Sequence, residues 1–516
     1  MEGKELQDKI NGTLWAACDT LRGSVPAENY KDYILTMLFV KFVSDTYKEK
    51  KEELTKKYNG DEKRVKRALE WEKFKLEDTC TFDYLYENRN KDDIGDIINK
   101  ALEKITQLNG TKLANLFSIV DYNNENVLGQ KKEKNAILKT LLEDFNNPIL
   151  DLRPSKIGNQ DVIGNSYEYL IARFAGDAGK KGGEFYTPPE VSTLLAKLVK
   201  PQKNERIYDP TCGSGSLLLK AYKEANTNTV SIYGQEMNGS TYSLCRMNMF
   251  LHDVNDAHIE WGDTISNPKH KENDALMKFD VIVSNPPFSL DKWAKGFEAG
   301  NNNTVVDGKK QNEFKFEASM DEHNRFEYGV PPKSTGDYAF ILHMLKSLTA
   351  EGRMAVVLPH GVLFRGGAEG KIRQKILEEN LIDAVIGLPE NLFYGVTIPA
   401  AIVVFKKKRK RKDVLFIEAS REYEKDKNQN KLASENIEKI AKIYENYEEV
   451  EKYSHIATFE EIKENEFNLN IKRYVDTFEE EEEINIEETK SNIRTIEFEI
   501  KQLEDDLEKS LKELEL

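Results

Sequence analysis

The chain is short of positive charge and of cysteine. Its 75 lysines and arginines are outnumbered by 90 acidic residues, for a net charge of −15. No overall field holds a polyanion, and any contact with nucleic acid has to be local or shared with another chain. The four cysteines, Cys18, Cys80, Cys212 and Cys245, are scattered without the spacing of a metal site or a disulfide framework. No metal is therefore expected, and a reducing cytoplasm is. No apolar run reaches the length that a membrane span needs. The opening MEGKELQDKI is polar and has no hydrophobic signal region, so neither secretion nor a membrane partner is expected.

With 516 residues there is room for two or three domains and a large core. Residues 279–288, FDVIVSNPPF, are the stretch around which the rest is arranged. Val281, Ile282 and Val283 form the β-branched run of a strand buried on both faces, and Asn285-Pro286-Pro287-Phe288 ends it abruptly. Two prolines fix φ and remove two donors, so the backbone leaves the sheet in a rigid loop rich in acceptors. The Asn285 carboxamide oxygen and the Pro286 carbonyl can together accept both hydrogens of one NH2 group, while Phe288 offers a face for a ring. Such a site describes a planar, conjugated amine. Two acceptors held out of its plane favour the pyramidal, nucleophilic form, with no general base required at the start. A proline turn ending a core strand, with Asn285 as an ordinary turn residue, is the plainer alternative.

Three acidic strand ends precede that loop. The strand Arg206-Ile207-Tyr208 runs into Asp209-Pro210-Thr211-Cys212-Gly213-Ser214-Gly215-Ser216 and an apolar helix from Leu217. This is the opening of a doubly wound α/β domain, whose ligands sit at the carboxyl ends of the strands. The turn has neither the third glycine of a dinucleotide fingerprint nor the Gly-Lys-Ser/Thr of a phosphate loop, so phosphate is disfavoured. Asp209, with glycines that permit close backbone approach, suits a cationic, phosphate-free nucleoside such as S-adenosyl-L-methionine. Glu236 ends the next strand, the place from which a carboxylate reaches ribose hydroxyls. Asp263 ends a third and can accept from an adenine amino group. Each acid alone is more often a strand-end cap; three in register, followed by Asn285, reverse that balance. Upstream, residues 182–190, GGEFYTPPE, read as a loop entering a helix, with Thr187 as N-cap and Glu190 completing a capping box. Phe185 and Tyr186, exposed over a Gly182-Gly183 hinge, can cover a small ligand.

Residues 6–145 read as mainly helical, with apolar positions at three and four spacing such as Tyr33, Ile34, Met37, Leu38 and Phe42, a packing domain without derivable chemistry. Between Phe288 and Gly336 lies a polar insertion containing Asn301-Asn302-Asn303. It reads as a mobile loop over substrate or partner, or equally as a disordered spacer. Strands are expected at residues 354–358 and 384–388, with 400–405 as the final hairpin strand. The following run KKKRKRK, residues 406–412, is a solvated hairpin tip or a phosphate contact, evenly balanced. After an acidic stretch at 479–483, Ile493, Ile496, Ile500, Leu503, Leu507 and Leu514 follow a heptad-like spacing that needs a partner helix.

The motifs GGEFYTP, DPTCGSG, YGQEMN, WGDT and SNPPF, in this order, resemble the cofactor-first arrangement of adenine-N6 DNA methyltransferases. LWAACDTLRGSVPAENYKDYILTMLFVKF near the start, with GDYAF, GRMAVVLPHGVLFR and LIDAVIGLPENLFYGVTIPAAIVVF downstream, is similar to the methylation (M) subunit of type I restriction-modification systems. The resemblance covers residues 1–420 or so, and departs from it at Thr211-Cys212, where small residues are expected. It implies an α/β, Rossmann-like S-adenosylmethionine-dependent methyltransferase domain over 151–475. A helical domain would precede it over 1–150, and a helical, coiled-coil tail for subunit assembly would follow over 476–516. It also implies that Asn285, Pro286, Pro287 and Phe288 act on a flipped adenine. The cofactor would be held by Gly183, Glu184, Phe185, Tyr186, Thr187, Pro188, Asp209, Gly213, Ser214, Gly215, Ser216, Glu236 and Asp263. The implied partners are double-stranded DNA, a specificity (S) subunit with two M per S, and a restriction (R) translocase/nuclease subunit. Cytosine N4 or a protein glutamine as the target, and a non-catalytic scaffold that recruits DNA, are the rival readings.

Overall fold

Val281, Ile282 and Val283 are buried at the middle of a nine-stranded sheet, as their β-branched run demands. The computed structural model describes residues 2–22, 25, 27–158, 161–179, 183, 186–300, 316–426, 429–477 and 486–513. The strands are β1 (Arg206–Asp209), β2 (Ser231–Glu236), β3 (His258–Trp261), β4 (Phe279–Ser284), β5 (Leu348–Pro359), β6 (Ile382–Gly387), β7 (Ala400–Lys406), β8 (Val414–Glu418) and β9 (Ser454–Ala457). Their spatial order is β9-β8-β6-β7-β5-β4-β1-β2-β3. From β3 to β5 all neighbours are parallel, and β7 runs antiparallel between β5 and β6. β8 lies parallel to β6, with β9 antiparallel at the edge. The order reverses at β1, which has β2 on one side and β4 on the other. In an open α/β sheet a crevice forms at that switch point, outside the carboxyl ends of the strands.

Helices cover both faces, which is why the central strands are apolar without alternation. One face packs on Pro189–Val199, Ser216–Glu224 and Ser434–Asn446, the other on Asp337–Ser347 and Gly367–Glu378. The strands at 414–418 and 454–457, by which the sheet continues past 400–405, were not expected, because both are short and their apolar character is broken by flanking charge.

The N-terminal helices Glu2–Ala17, Ala27–Lys57, Ile94–Asn109 and Lys131–Phe145 share one apolar core with Asp161–Ala178 and with Leu244, Met247 and Phe250. Phe39 lies 6.0 Å from both Phe74 and Phe117 and 6.1 Å from Phe250, ring centre to ring centre. Residues 1–475 form one compact unit and 476–516 a second. The second contains the helix Ile486–Glu513, on which Ile493, Ile496, Ile500, Leu503 and Leu507 are all at least half exposed. Leu514 lies outside the described residues.

The polar insertion is not a loop throughout. Asn301, Asn302 and Asn303 lie outside the described residues, but both flanks are packed. Trp293, Phe297, Phe316 and Phe326 form an aromatic cluster with centroid separations of 4.7 to 5.3 Å. Beside it Arg325 is buried. Its guanidinium donates to Asp321 Oδ1 at 2.9 and 2.7 Å, to the carbonyls of Thr264 (3.3 Å) and Ile265 (2.6 Å), and to His343 Nδ1 (3.2 Å). Burial first, then Arg325, pushes the His343 imidazole well below its ordinary value, which fits a neutral ring accepting from arginine. Averaged polarity concealed five side chains with anchoring roles.

The basic run 406–412 is partly engaged by the fold and partly exposed, with Lys408, Lys410, Arg411 and Lys412 at the surface. Because β7 is antiparallel, it leaves the sheet at the amino ends of the parallel strands, the edge away from Asn285. Lys406 pairs with Asp383 (2.9 Å), Lys408 with Glu351 (2.6 Å) and Arg409 with Asp383 (2.8 Å), while Arg411 stacks on Tyr447 at 4.5 Å.

Candidate active site

β1 and β4 are in register, Ile207 with Val281 and Tyr208 with Ile282, so Asp209 and Ser284 leave the sheet side by side. Ser284 Oγ donates to Asp209 Oδ1 (3.0 Å) and lies 2.8 Å from Thr211 Oγ1; the Thr211 amide also donates to Asp209 Oδ1 (3.0 Å). The loop after β1 is thereby tied to the loop after β4. Ser284 and Thr211 were missed as site residues, although each sits inside a motif that drew attention. Burial pushes the Asp209 carboxyl up to about 7, against the hydrogen bonds that favour its charged form. A cation in the crevice would pull it back down.

Gly213 and Gly215 have φ of +54° and +85°, a region that side chains disfavour. A Cβ at Gly215 would lie 2.5 Å from Met249 Cε and 2.8 Å from Cys245 Sγ, so the turn can be built only with glycine there. The unexpected Cys212 is a core residue: it faces Gly234, and its Sγ lies 3.8 Å from that of Cys245. Glu236 is anchored at both oxygens, Oε2 by the Gly213 amide (3.0 Å) and Oε1 by the Asn238 amide (2.8 Å). Burial raises its carboxyl. Two carboxylate acceptors side by side suit a vicinal diol. Glu236→Ala is expected to weaken S-adenosylmethionine binding about 10- to 100-fold, roughly 1.5–3 kcal/mol for charge-assisted hydrogen bonds. An unchanged dissociation constant by calorimetry would remove Glu236 from the site.

Asn285 Nδ2 donates to Thr187 Oγ1 at 3.1 Å. Its Oδ1 is buried with no partner within the protein, an acceptor left available to a ligand. The two side chains line a cleft of ≈ 290 Å³ together with Gly183, Tyr186, Asp209, Thr211, Cys212, Gly213, Ser214, Ser216 and Leu217. Among the described residues no basic side chain lines it, which fits a cationic nucleoside. Phe288 is half-buried, edge-to-face with Phe393 at 5.9 Å.

Several expectations change here. Thr187 is not an N-cap: Pro188 occupies that position without a side-chain cap, and the helix starts at Pro189. The Thr187 hydroxyl is turned to Asn285 instead, because two successive prolines carry the first turn with fewer amides to satisfy. Tyr186 is buried rather than exposed, 5.9 Å from Tyr394. Glu184 and Phe185 lie outside the described residues. Gly183 meets the Tyr394 backbone, where a Cβ would approach the carbonyl oxygen to 2.7 Å. Pro188, Gly215, Glu236, Asp263, Pro286, Pro287 and Phe288 are not in the cleft lining. Asp263 accepts from the Ile265 amide (2.9 Å) and Ser266 Oγ (2.5 Å). Gly296 approaches it so closely that a Cβ there would lie 3.0 Å from Oδ2.

The downstream motifs act on the loop from behind. Buried Asp337 of GDYAF accepts from the Ser289 amide (2.8 Å) and from Arg365 Nη1 (2.9 Å), and Arg365 Nη2 reaches Ser289 Oγ (3.0 Å). Ser289 has φ +50°, a strained value that this clamp maintains.

The family profile described as N-6 DNA Methylase matches residues 158–483, well over half of the chain. The chain belongs to the N-6 DNA methylase family. The profile described as HsdM N-terminal domain matches residues 10–145 of the methylase. The methylase is 33% identical to the type I restriction enzyme MpnII methylase subunit of Mycoplasma pneumoniae, over 94% of this chain and 93% of that one. It is 34% identical to the MjaVIII methylase subunit of Methanocaldococcus jannaschii, over 94% of this chain and 81% of that one. In structure it is similar to the type I restriction-modification system methyltransferase subunit of Streptococcus thermophilus. The TM-score is 0.77 at 34% identity, covering 92% of this chain and 100% of the other. The methylase is thus an S-adenosylmethionine-type methyltransferase by fold and family. Among the described residues, no helix is long and apolar enough to cross a membrane.

Proposed function

We propose that this chain is the methylation subunit of a type I restriction-modification complex, transferring a methyl group from S-adenosyl-L-methionine to adenine N6 in double-stranded DNA. One observation carries the chemistry: a buried, partnerless acceptor, Asn285 Oδ1, at the crevice where β1 and β4 end. The cofactor supplies an electrophilic methyl group on a sulfonium. Glycines 213 and 215, Asp209 and the anchored Glu236 are the residues that would hold it, with Asp263 at the adenine. Asn285 Oδ1 and the Pro286 carbonyl accept from the amino group, turning its lone pair out of the ring. Phe288 stacks on the extruded base, whose unstacking costs a few kcal/mol. The N–CH3 bond would form as the sulfonium's S–CH3 bond breaks to leave a neutral thioether, and the surplus proton on the amine would then pass to water, so no base has to be charged beforehand. Hydrolysing DNA methylated by the assembled complex and identifying the modified nucleoside tests the reading. N4-methylcytosine, or label in protein glutamine, would replace it.

We assign residues 1–150 to a helical domain, 151–475 to the methyltransferase and 476–516 to an assembly tail. The S subunit would bring target recognition at two methylation subunits per S, and an R subunit translocation and cleavage. The exposed apolar stripe of the helix Ile486–Glu513 supports the tail's role, because an isolated amphipathic helix gains most of its stability by packing. Deleting everything after Glu483 is expected to leave a subunit that still binds cofactor but no longer assembles or methylates efficiently. Size-exclusion chromatography with a co-expressed S subunit checks this, and full assembly by the truncated chain would refute it. Four buried, unpaired cysteines support a reducing, cytoplasmic setting.

A further inference from the structure

The group that touches Asn285 is one that sequence reasoning assigned elsewhere. Thr187 is buried, its Oγ1 accepts from Asn285 Nδ2 at 3.1 Å, and the opposite atom of the same carboxamide, Oδ1, is buried without a partner. A carboxamide is free to turn about its own bond, so packing alone does not set its plane. A hydrogen bond at one end fixes the plane and the position of the other end. Thr187 is well placed to do this. The helix behind it starts on Pro189 with Pro188 as an N-cap, so the hydroxyl is not taken up by helix amides, and the two prolines give it a rigid mount.

We propose that Thr187 is a positioning residue for the methyl-transfer step. It ties the nitrogen end of the Asn285 carboxamide and presents the oxygen end to the target amine. The inference rests on the reading of residues 285–288 as the amine-accepting loop. Thr187 would then contribute to turnover more than to cofactor affinity, although it lines the same cleft as the glycine turn.

The test uses the complex purified with its specificity subunit, unmodified genomic DNA and tritiated S-adenosylmethionine. Identifying the labelled nucleoside made by the wild type comes first; a product other than N6-methyladenine defeats the parent reading, whatever the Thr187 variants do. Thr187→Val keeps the branch and removes the hydroxyl. Turnover is expected to fall about tenfold, the loss of one oriented hydrogen bond, with the cofactor dissociation constant and the KM for DNA within about twofold. Normal cofactor binding by calorimetry also shows that the variant is folded. Thr187→Ser should recover most of the turnover, and in an Asn285→Ala background Thr187→Val should lower it no further. The inference is overturned by full turnover in Thr187→Val, by a loss that appears in cofactor affinity instead, or by a serine variant as slow as the valine one.

Discussion

Replacing Asn285 with alanine is expected to slow methyl transfer by at least about 100-fold while leaving S-adenosylmethionine affinity nearly unchanged. The variant loses the buried Oδ1 that has no partner inside the protein, and with it one of the two acceptors proposed to turn the amine lone pair out of conjugation. Loss of one oriented polar contact in a transition state corresponds to about 2.7 kcal/mol, hence the two decades. Cofactor contacts should survive because the glycine turn is held by Glu236 and by Ser284, not by Asn285. Single-turnover methylation by the assembled complex, with calorimetry on the same preparation, separates the two quantities. Near-normal turnover would show that the loop is a turn and nothing more.

The second large effect is on stability. Arg325→Ala should destabilise the methylase by about 3–5 kcal/mol, the range for breaking a buried ion pair by removing one partner. All five guanidinium N–H groups have an acceptor: Asp321 twice, two backbone carbonyls and His343. Truncation strands the Asp321 carboxylate and leaves the Thr264 and Ile265 carbonyls short of a donor, in the loop that carries Asp263. Melting and cofactor affinity should therefore fall together. Removing both charges, with Asp321→Asn and Arg325→Met combined, should recover part of the melting temperature, since a buried pair costs most when only half of it remains. Equal melting of Arg325→Ala and the wild type would refute this account.

The parts of the fold that could be read from the sequence were those whose residues face a uniform environment. Buried parallel strands read as β-branched runs, and strand-end acids and the proline turn follow from backbone chemistry, so β1 to β4 and their loops were legible in order. Residues whose partners are distant in the chain were not. Thr187 fits an N-cap by its neighbours alone, and only the fold brings it 98 positions forward to Asn285. Arg325 sits in a stretch whose composition is that of a loop, yet its acceptors lie 60 residues or more upstream at Thr264 and Ile265. Asp337 and Arg365 were visible as parts of motifs, but their common target, Ser289, was not.

The two packed flanks of the insertion have a consequence for how this gene can change. Phe297 and Phe316 hold their rings 4.7 Å apart, so the chain departs from one spot on the surface and returns to almost the same spot. A residue added at either phenylalanine would part the two rings and disturb the aromatic cluster and, beside it, Arg325. Lengthening the chain between Phe288 and Trp293 would instead act directly on the clamp at Ser289. The described ends of the insertion thus fix its length at two places, the aromatic cluster and the clamp at Ser289.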